Sequence, residues 1–466
     1  MEKFVVFSGV NDNNTDIVSK DKPVVSFVLN NELVQTDLPG GMVTLDFLRT
    51  RKRMTGTKEG CREGDCGACT VLLGKLHGNT VEYTAQPSCM LPLAELANGH
   101  LVTVEGLSSS EKLNPVQQAL VDEGAIQCGF CTPGIVLAIT GCFLGCGLLD
   151  EEDVMTSIEG NLCRCTGYVS IKRAALSVVN EFRKSVLNAK DRVSALIEAD
   201  ILPTFFANIP DMLKSCSSDN RPADTDIIQG NAVLIGGGTD LYVQRGDELE
   251  NVPVRLLSQE PVLAGIKEEN GFLSIGAATT VSEMCGCDLV EEVIPGVSSF
   301  AGLISSQLIR QRATLGGNIV NASPIGDLSI ILLAASAELC LRSGNGESRV
   351  VPLNEFFRGY KQLDLRDGEI IEQIKIPLGR KEYQFNFEKV SKRKYLDIAS
   401  VNTAISLKCE GKTILDAAIS AGGVGPIPMF LRKTAAYMKR KTISEKTALG
   451  AAEIADTEIS PISDVR

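Results

Sequence analysis

Histidine occurs twice and tryptophan not at all in this chain of 466 residues. So few imidazoles leave little room for His-ligated metal or His-based acid/base chemistry, and attention moves to sulfur. Positive charge is also the minority, with 46 Lys and Arg against 58 Asp and Glu and a net charge of −12. Such a surface repels phosphate backbones and argues against a nucleic-acid partner. Long apolar runs are scarce. Residues 124–149 carry no charge, and Ile135–Leu149 comes nearest to a membrane span. A span needs about 20 apolar residues, and this stretch is preceded by the polar run Gln127-Cys128-Gly129-Phe130-Cys131-Thr132-Pro133. It reads as a buried helix, with no membrane involved. Acidic and amide residues interrupt the N-terminus before any secretory signal forms, so the expected compartment is the reducing cytoplasm.

What is present is a globular composition: 44% hydrophobic, 22% charged, mean hydropathy +0.09. The length corresponds to three domains at about 150 residues each. Fifteen cysteines and 43 glycines stand out. In a reducing compartment an odd number of cysteines points to metal binding rather than a disulfide framework.

Residues 24–37 read as two short strands around Asn30-Asn31, a hairpin. Residues 43–53 look like one amphipathic helix, 56–69 a Gly/Cys loop, and 70–73 and 81–83 further strands. That order resembles a ferredoxin-type β-grasp. From Asn114-Pro115 the pattern turns helical, with helices also expected from Thr132-Pro133, around 150–158 and over 170–188. Residues 190–226 show little regular pattern and read as a linker. A third unit opens with the strand before Gly236-Gly237-Gly238. After about residue 385 alternating segments suggest a small final sheet and a helix.

Eight cysteines form two sets. The first is Cys61-x4-Cys66-x2-Cys69 with a distant Cys89, the plant-type [2Fe–2S] spacing, in which a Gly-rich loop wraps three thiolates around the cluster. Gly60, Gly64 and Gly67 suit such a loop, because they let amide N–H groups turn toward sulfur. The alternative is zinc, which favours two Cys-x2–4-Cys knuckles. The second set is Cys128-x2-Cys131 and Cys163-x-Cys165, each pair at an expected helix N-terminus, whose partial positive charge stabilises thiolates. Cys142 and Cys146 compete as ligands but stand among Phe, Leu and Ile and read as core. The remaining cysteines lack partners at ligand spacing, Cys285-x-Cys287 being a weak exception. His77 and His100 read as solvated loop residues.

Downstream, Leu234-Ile235-Gly236-Gly237-Gly238-Thr239-Asp240-Leu241 can expose amides to a pyrophosphate, but it lacks the G-x-G-x-x-G spacing. A second loop, residues 313–328, adds Gly316, Gly317 and the polar side chains of Thr314 and Asn318. The bland reading of Asp327 and Lys389 is surface charge.

GCREGDCGACTV at 60–71, QCGFCTPG at 127–134 and GNLCRCTGY at 160–168, in this order, resemble the iron–sulfur part of the molybdenum hydroxylases, the xanthine dehydrogenase and aldehyde oxidase group. Arg62 and Asp65 stand where that family often has Gly. The resemblance extends over about residues 24–465. It implies a multidomain α+β fold: a ferredoxin-like β-grasp [2Fe–2S] domain (21–108), a helical-bundle [2Fe–2S] domain (109–188), a linker (189–226), an α+β FAD-binding domain (227–378) and a small α+β C-terminal flavoprotein domain (379–466). By the same resemblance Leu234 to Leu241, Thr314, Gly316, Gly317, Asn318, Asp327, Ile371 and Lys389 contact FAD, and no residue of the chain is catalytic in its own right. The implied role is an electron-transfer subunit of a hetero-oligomer. Electrons would come from molybdenum on a molybdopterin-binding large subunit through two [2Fe–2S] clusters to FAD and then NAD, with xanthine or hypoxanthine as the partner's substrate. An aldehyde or other N-heterocycle as substrate, and a freestanding iron–sulfur flavoprotein, are the alternatives.

Overall fold

The computed structural model describes residues 24–107, 112–145, 147–216, 232–393 and 396–463. The first unit is a five-stranded sheet in the order Glu32–Thr36, Val25–Leu29, Gly99–Val102, Thr70–His77, Thr80–Pro87. Val25–Leu29 and Gly99–Val102 run parallel, and the other pairs antiparallel. The expected hairpin turns at Asn30, whose φ of 53° asparagine tolerates better than most residues. The helix expected over 43–53 is shorter and wider: one turn at Thr44–Asp46 opens into a π-turn at Phe47–Arg51, with Phe47 and Leu48 buried against Phe27 and Val71.

His100 is not solvated. It is buried in the strand Gly99–Val102, among Tyr83, Phe205 and Phe206. Nε2–H donates to the Asn30 carbonyl (2.8 Å), which leaves Nδ1 to accept from the Tyr83 hydroxyl (2.7 Å). Burial pushes its pKa down to about 4. The unfolded chain takes up the proton near pH 6.5 and the folded chain only near 4. Stability present above pH 6.5 is therefore lost as pH falls toward 4, by about 3 kcal/mol in all. Amide exchange in Val25–Leu29 and Gly99–Val102 should accelerate from pH 7 to 5, after correction for intrinsic exchange, more than in a His100→Asn variant. Equal pH slopes in the two proteins would remove His100 as the cause.

The second unit is helical. Asn114 starts the helix Pro115–Asp122 with a capping box, accepting from the Gln117 amide (2.9 Å) while its own N–H donates to the Gln117 side chain (3.0 Å). The uncharged helix is Thr132–Leu144, buried from Gly134 to Thr140 and at Phe143. Its lack of charge follows from cover on two sides. It packs on the β-grasp sheet at Leu72 and Tyr83, and on the helices Glu151–Ile158 and Pro115–Asp122. No described helix is long and apolar enough to cross a membrane.

The stretch read as a linker is ordered in its described part. It forms the helix Arg192–Glu198, a 3₁₀ turn at Thr204–Asn208 and the helix Ile209–Cys216. Ile209, Leu213 and Cys216 bury against Val28, so the segment straps the back of the β-grasp sheet. Pro203 and Pro210 cut its periodicity into pieces too short to read. Residues 217–226 lie outside the described residues.

The third unit holds a five-stranded antiparallel sheet in the order Ser348–Pro352, Glu338–Ser343, Glu369–Pro377, Phe272–Gly276, Ile266–Glu269. A short parallel pair, Val233–Ile235 with Val254–Leu256, leads into it. The last unit is the sheet Gln384–Val390, Val401–Glu410, Thr413–Gly422, Met429–Phe430 with the helices Arg432–Met438 and Glu445–Ala455. The helix Asp327–Ala334, buried from Leu328 onward, joins the two units, its Ile330 carbonyl accepting from Ser420 Oγ (2.6 Å).

Candidate functional site

The loop from Gly60 to Cys69 turns on three positive φ angles, at Arg62 (58°), Gly64 (75°) and Gly67 (62°). A Cβ on Gly60 would lie 2.7 Å from the Cys66 sulfur and one on Gly67 2.4 Å from the Gly160 carbonyl, so the loop has no room for side chains there. Arg62 holds its left-handed backbone with its guanidinium fixed by Asp46 (2.5 Å) and Glu59 (2.7 Å). The Glu63 amide donates to Cys61 Sγ at 3.3 Å.

The four thiols stand two by two, Cys61 with Cys66 and Cys69 with Cys89. The Cys66 thiol hydrogen-bonds Cys61 and, with the Glu63, Cys66 and Asp65 amides, brings its pKa down to about 5. In each pair the thiol that donates goes up. Among the described residues no three His, Cys, Asp or Glu side chains converge as a single metal ion requires. Pairing suits a two-iron cluster, whose irons each take two thiolates.

The second set repeats the pattern. Cys131 is the N-cap of Thr132–Leu144, and Cys163 and Cys165 precede Val169–Asn188. Cys165 Sγ lies 3.5 Å from Cys128 Sγ, and Cys131 pairs with Cys163. The Cys163 amide donates to the Tyr168 hydroxyl (3.1 Å), and its sulfur lies 3.1 Å from Thr166 Oγ1. Cys142 is no competitor. Burial pushes its pKa up to about 12, and its neighbours are Ser157 and Asp153 rather than the paired thiols. Cys146 lies outside the described residues.

In the third unit the strand ending at Ile235 delivers Gly236–Asp240 against the N-terminus of the helix Leu315–Asn321. Thr314 caps that helix, accepting from the Gly317 amide (3.2 Å), and the Gly237 amide approaches the same hydroxyl at 3.4 Å. A Cβ on Gly237 would stand 2.0 Å from the Arg312 carbonyl oxygen, and one on Gly316 2.9 Å from Ala277. Bare backbone at a helix N-terminus is the chemistry that holds phosphate. Leu234, Leu241 and Thr239 flank the cradle, and Asn318 extends the helix toward Ser329 (3.5 Å). Burial pushes Asp240 up, opposed by Lys361 and a hydrogen bond from Asn321.

Asp327 and Lys389 are not surface charges. Their side chains, 13% and 3% exposed, meet at 2.7 Å. Lys389 also donates to the Leu303 carbonyl (2.6 Å), and Asn402 to the other Asp327 oxygen (2.6 Å). Ile371 lies in the strand Glu369–Pro377, in register with Leu341, and its side chain belongs to the apolar core.

Sequence reasoning missed the segment that joins these loops. Residues 306–314 touch all three. Ile309 Cδ1 lies against Gly64 of the first cysteine loop. Arg310 bonds Glu159, just ahead of Cys163, at 2.7 Å. Arg312 Nε donates to the Gly237 carbonyl at 2.8 Å. On the opposite side of 159–162, Asn161 Nδ2 donates to the Gly67 carbonyl (2.9 Å) and the Leu162 amide to the Cys66 carbonyl (2.9 Å). Their adjacency to the cysteine and glycine motifs was the available signal for Glu159, Asn161, Arg310 and Arg312. Nothing local marked Asn402.

Three family models match in chain order: a [2Fe-2S] binding domain over residues 103–176, the FAD binding domain in molybdopterin dehydrogenase over 222–379, and the CO dehydrogenase flavoprotein C-terminal domain over 387–466. Together these matches support a place in the molybdenum hydroxylase family, with its iron–sulfur and FAD-binding modules. It is 28% identical to xanthine dehydrogenase 1 of Arabidopsis thaliana, over 91% of this chain and 37% of that protein. Against the xanthine dehydrogenase/oxidase of Rattus norvegicus it is 27% identical, over 91% and 36%. The chain thus spans little more than a third of the length of these relatives. Among solved structures, it resembles a carbon monoxide dehydrogenase from Hydrogenophaga pseudoflava (26% identity, TM-score 0.47, 51% of this chain and 83% of that one). It also resembles quinoline 2-oxidoreductase from Pseudomonas putida 86 (27%, TM-score 0.46, 50% and 81%).

Proposed function

We propose that this chain is the electron-transfer subunit of a cytoplasmic molybdenum hydroxylase of the xanthine dehydrogenase type, accepting electrons from a molybdopterin-binding partner that oxidises hypoxanthine or xanthine and delivering them to NAD. Cys61, Cys66, Cys69 and Cys89 hold one [2Fe–2S] cluster, Cys128, Cys131, Cys163 and Cys165 a second, and the cradle of Gly236–Asp240 and Thr314–Asn318 holds FAD with Asp327 and Lys389. The observation that carries this reading is the central place of the first cysteine loop. It is bonded to the second at Cys66–Leu162 and Gly67–Asn161, and packed in one apolar cluster with Ile235, Leu241 and Tyr242 of the cradle. When bound, the clusters supply one-electron steps and the flavin joins them to two-electron exchange with NAD. The chain's own part is to space these groups and exclude water.

Exposed apolar residues support a partner seated at the second cysteine set. Cys128 and Cys165 are open, and Ile126, Phe130, Leu162, Tyr168 and Val169 near them are all more than a third exposed. Purification of the native complex tests the proposal. A large molybdenum-containing chain should co-purify, with xanthine-dependent NAD reduction. Isolation of this chain alone, with only NADH-to-dye transfer, would sink it.

Gly237→Ala tests the cradle. The added methyl has no space beside the Arg312 carbonyl, an overpacking cost of about 1–3 kcal/mol, so the purified variant should carry less than a tenth of the wild-type FAD, read from its visible absorbance per chain. Wild-type FAD content would show that the loop does not hold the cofactor.

A further inference from the structure

Arg312 is a buried cation without a matching anion. It is 6% exposed, its Nε–H is engaged by the Gly237 carbonyl, and among the described residues no carboxylate lies within ion-pair distance of its guanidinium. Isolated buried charge is unfavourable, and arginine cannot escape by losing its proton. Burial works against its charged form, and the ionisable groups close enough to act on it are Glu95, Tyr242, Cys89 and the buried Lys75, of which only Glu95 is an anion in its ordinary state. Tyr242 and Cys89 share the apolar cluster that joins the first cysteine loop to the glycine cradle, and Tyr242 also donates to the Gly41 carbonyl (3.1 Å) across that boundary. Glu95 faces the boundary too, its carboxylate accepting from Ser258 (2.9 Å).

We propose that Arg312 is a redox-tuning residue, whose fixed positive charge between the cradle and Cys89 raises the reduction potential of the cluster held by Cys61, Cys66, Cys69 and Cys89. The inference rests on the cluster and flavin assignment above. A cluster gains negative charge when it is reduced. A cation held in a water-poor boundary favours that reduced state, and Glu95, of opposite sign, disfavours it. For two unit charges roughly 12 Å apart at an effective dielectric of about 20, the reduced-to-oxidised ratio changes about tenfold.

The test is a redox titration of the holoenzyme, with each cluster followed by its own electron paramagnetic resonance signal. In Arg312→Gln the reduced-to-oxidised ratio of the Cys61-set cluster, read at the wild-type midpoint, should fall about tenfold, which is about 59 mV for one electron. The Cys128-set cluster should move less than twofold. Arg312→Lys, which keeps the charge, should stay near wild type, and Glu95→Gln should move the first ratio upward. Loosening of the boundary cannot produce opposite shifts from Arg312→Gln and Glu95→Gln, so the sign separates charge from packing. An unchanged ratio in Arg312→Gln, or shifts of the same sign in both variants, overturns the inference. If Arg312→Gln does not accumulate, Glu95→Gln decides alone: an upward shift supports tuning by charge at this boundary, and no shift overturns it. Absence of any first-cluster signal in the wild type would instead remove the cluster assignment itself.

Discussion

Cys163→Ser is expected to abolish one iron–sulfur signal and leave the other intact, with iron and labile sulfide each falling from about four to about two per chain. The effect is large because Cys163 is held on every side. Its sulfur pairs with Cys131 and touches Thr166, and its amide is tied to Tyr168, whose positive φ lets the chain turn into the helix Val169–Asn188. A serine hydroxyl is shorter and a far weaker ligand than a thiolate. Among the described residues, Cys142 is the alternative nearest in sequence, and it is on the helix flank facing Ser157. Cys142→Ser is the matched control and should keep both signals. Loss of both signals in Cys163→Ser would show that the two sets are not independent, and unchanged spectra would strike Cys163 from the ligand set. The control matters because both substitutions touch the same helical core, so general destabilisation would weaken the signals alike.

The parts of this molecule that could be read from sequence are those whose physics is local. Cysteine spacing, the Asn114 capping box and the uncharged run that became Thr132–Leu144 each depend on residues a few positions apart. The architecture implied by the order of elements and by the family resemblance, a β-grasp unit, a helical unit and two α+β units, is the one observed. The long-range features were silent. His100 meets Asn30 and Phe206 only once the sheet has closed and the strap of 192–216 has crossed it. Pro203 and Pro210 break that strap into pieces too short to announce themselves. The side chains of Asp327 and Lys389 look like ordinary surface charge until Asn402, on a strand of the next unit, completes their network. The segment 306–314 lies beside a recognised glycine loop, but its contacts reach residues about 150 positions away. Ile371 shows the opposite case, a position matched to a flavin contact whose side chain is spent on the core.

The segment's most consequential tie is the ion pair of Arg310 and Glu159, and breaking it should cost more than any other single charge removal at this boundary. The two side chains are 5% and 14% exposed, and the guanidinium also donates to the Ile304 and Ser305 carbonyls (3.0 and 3.1 Å). Glu159 accepts a further hydrogen bond from the Gln307 amide (2.9 Å). In Arg310→Met the carboxylate would stay buried with its main partner gone, a loss of about 3–5 kcal/mol. The melting temperature should fall by several degrees, read by calorimetry as a lowered transition for the flavin unit. Removing both charges together, in Glu159→Leu with Arg310→Met, should recover a large part of that loss, because no buried charge is then left alone. Additive losses in the double variant would mean that the two side chains act independently. The same comparison bears on function. Glu159 leads directly into Asn161 and Leu162, which bond the first cysteine loop, so the single variant should also slow reduction of the flavin relative to reduction of the clusters in stopped-flow spectra of the complex. The double variant should lie between it and the wild type. Flavin reduction at the wild-type rate in Arg310→Met would show that this pair stabilises the fold without setting the separation of the cofactor loops.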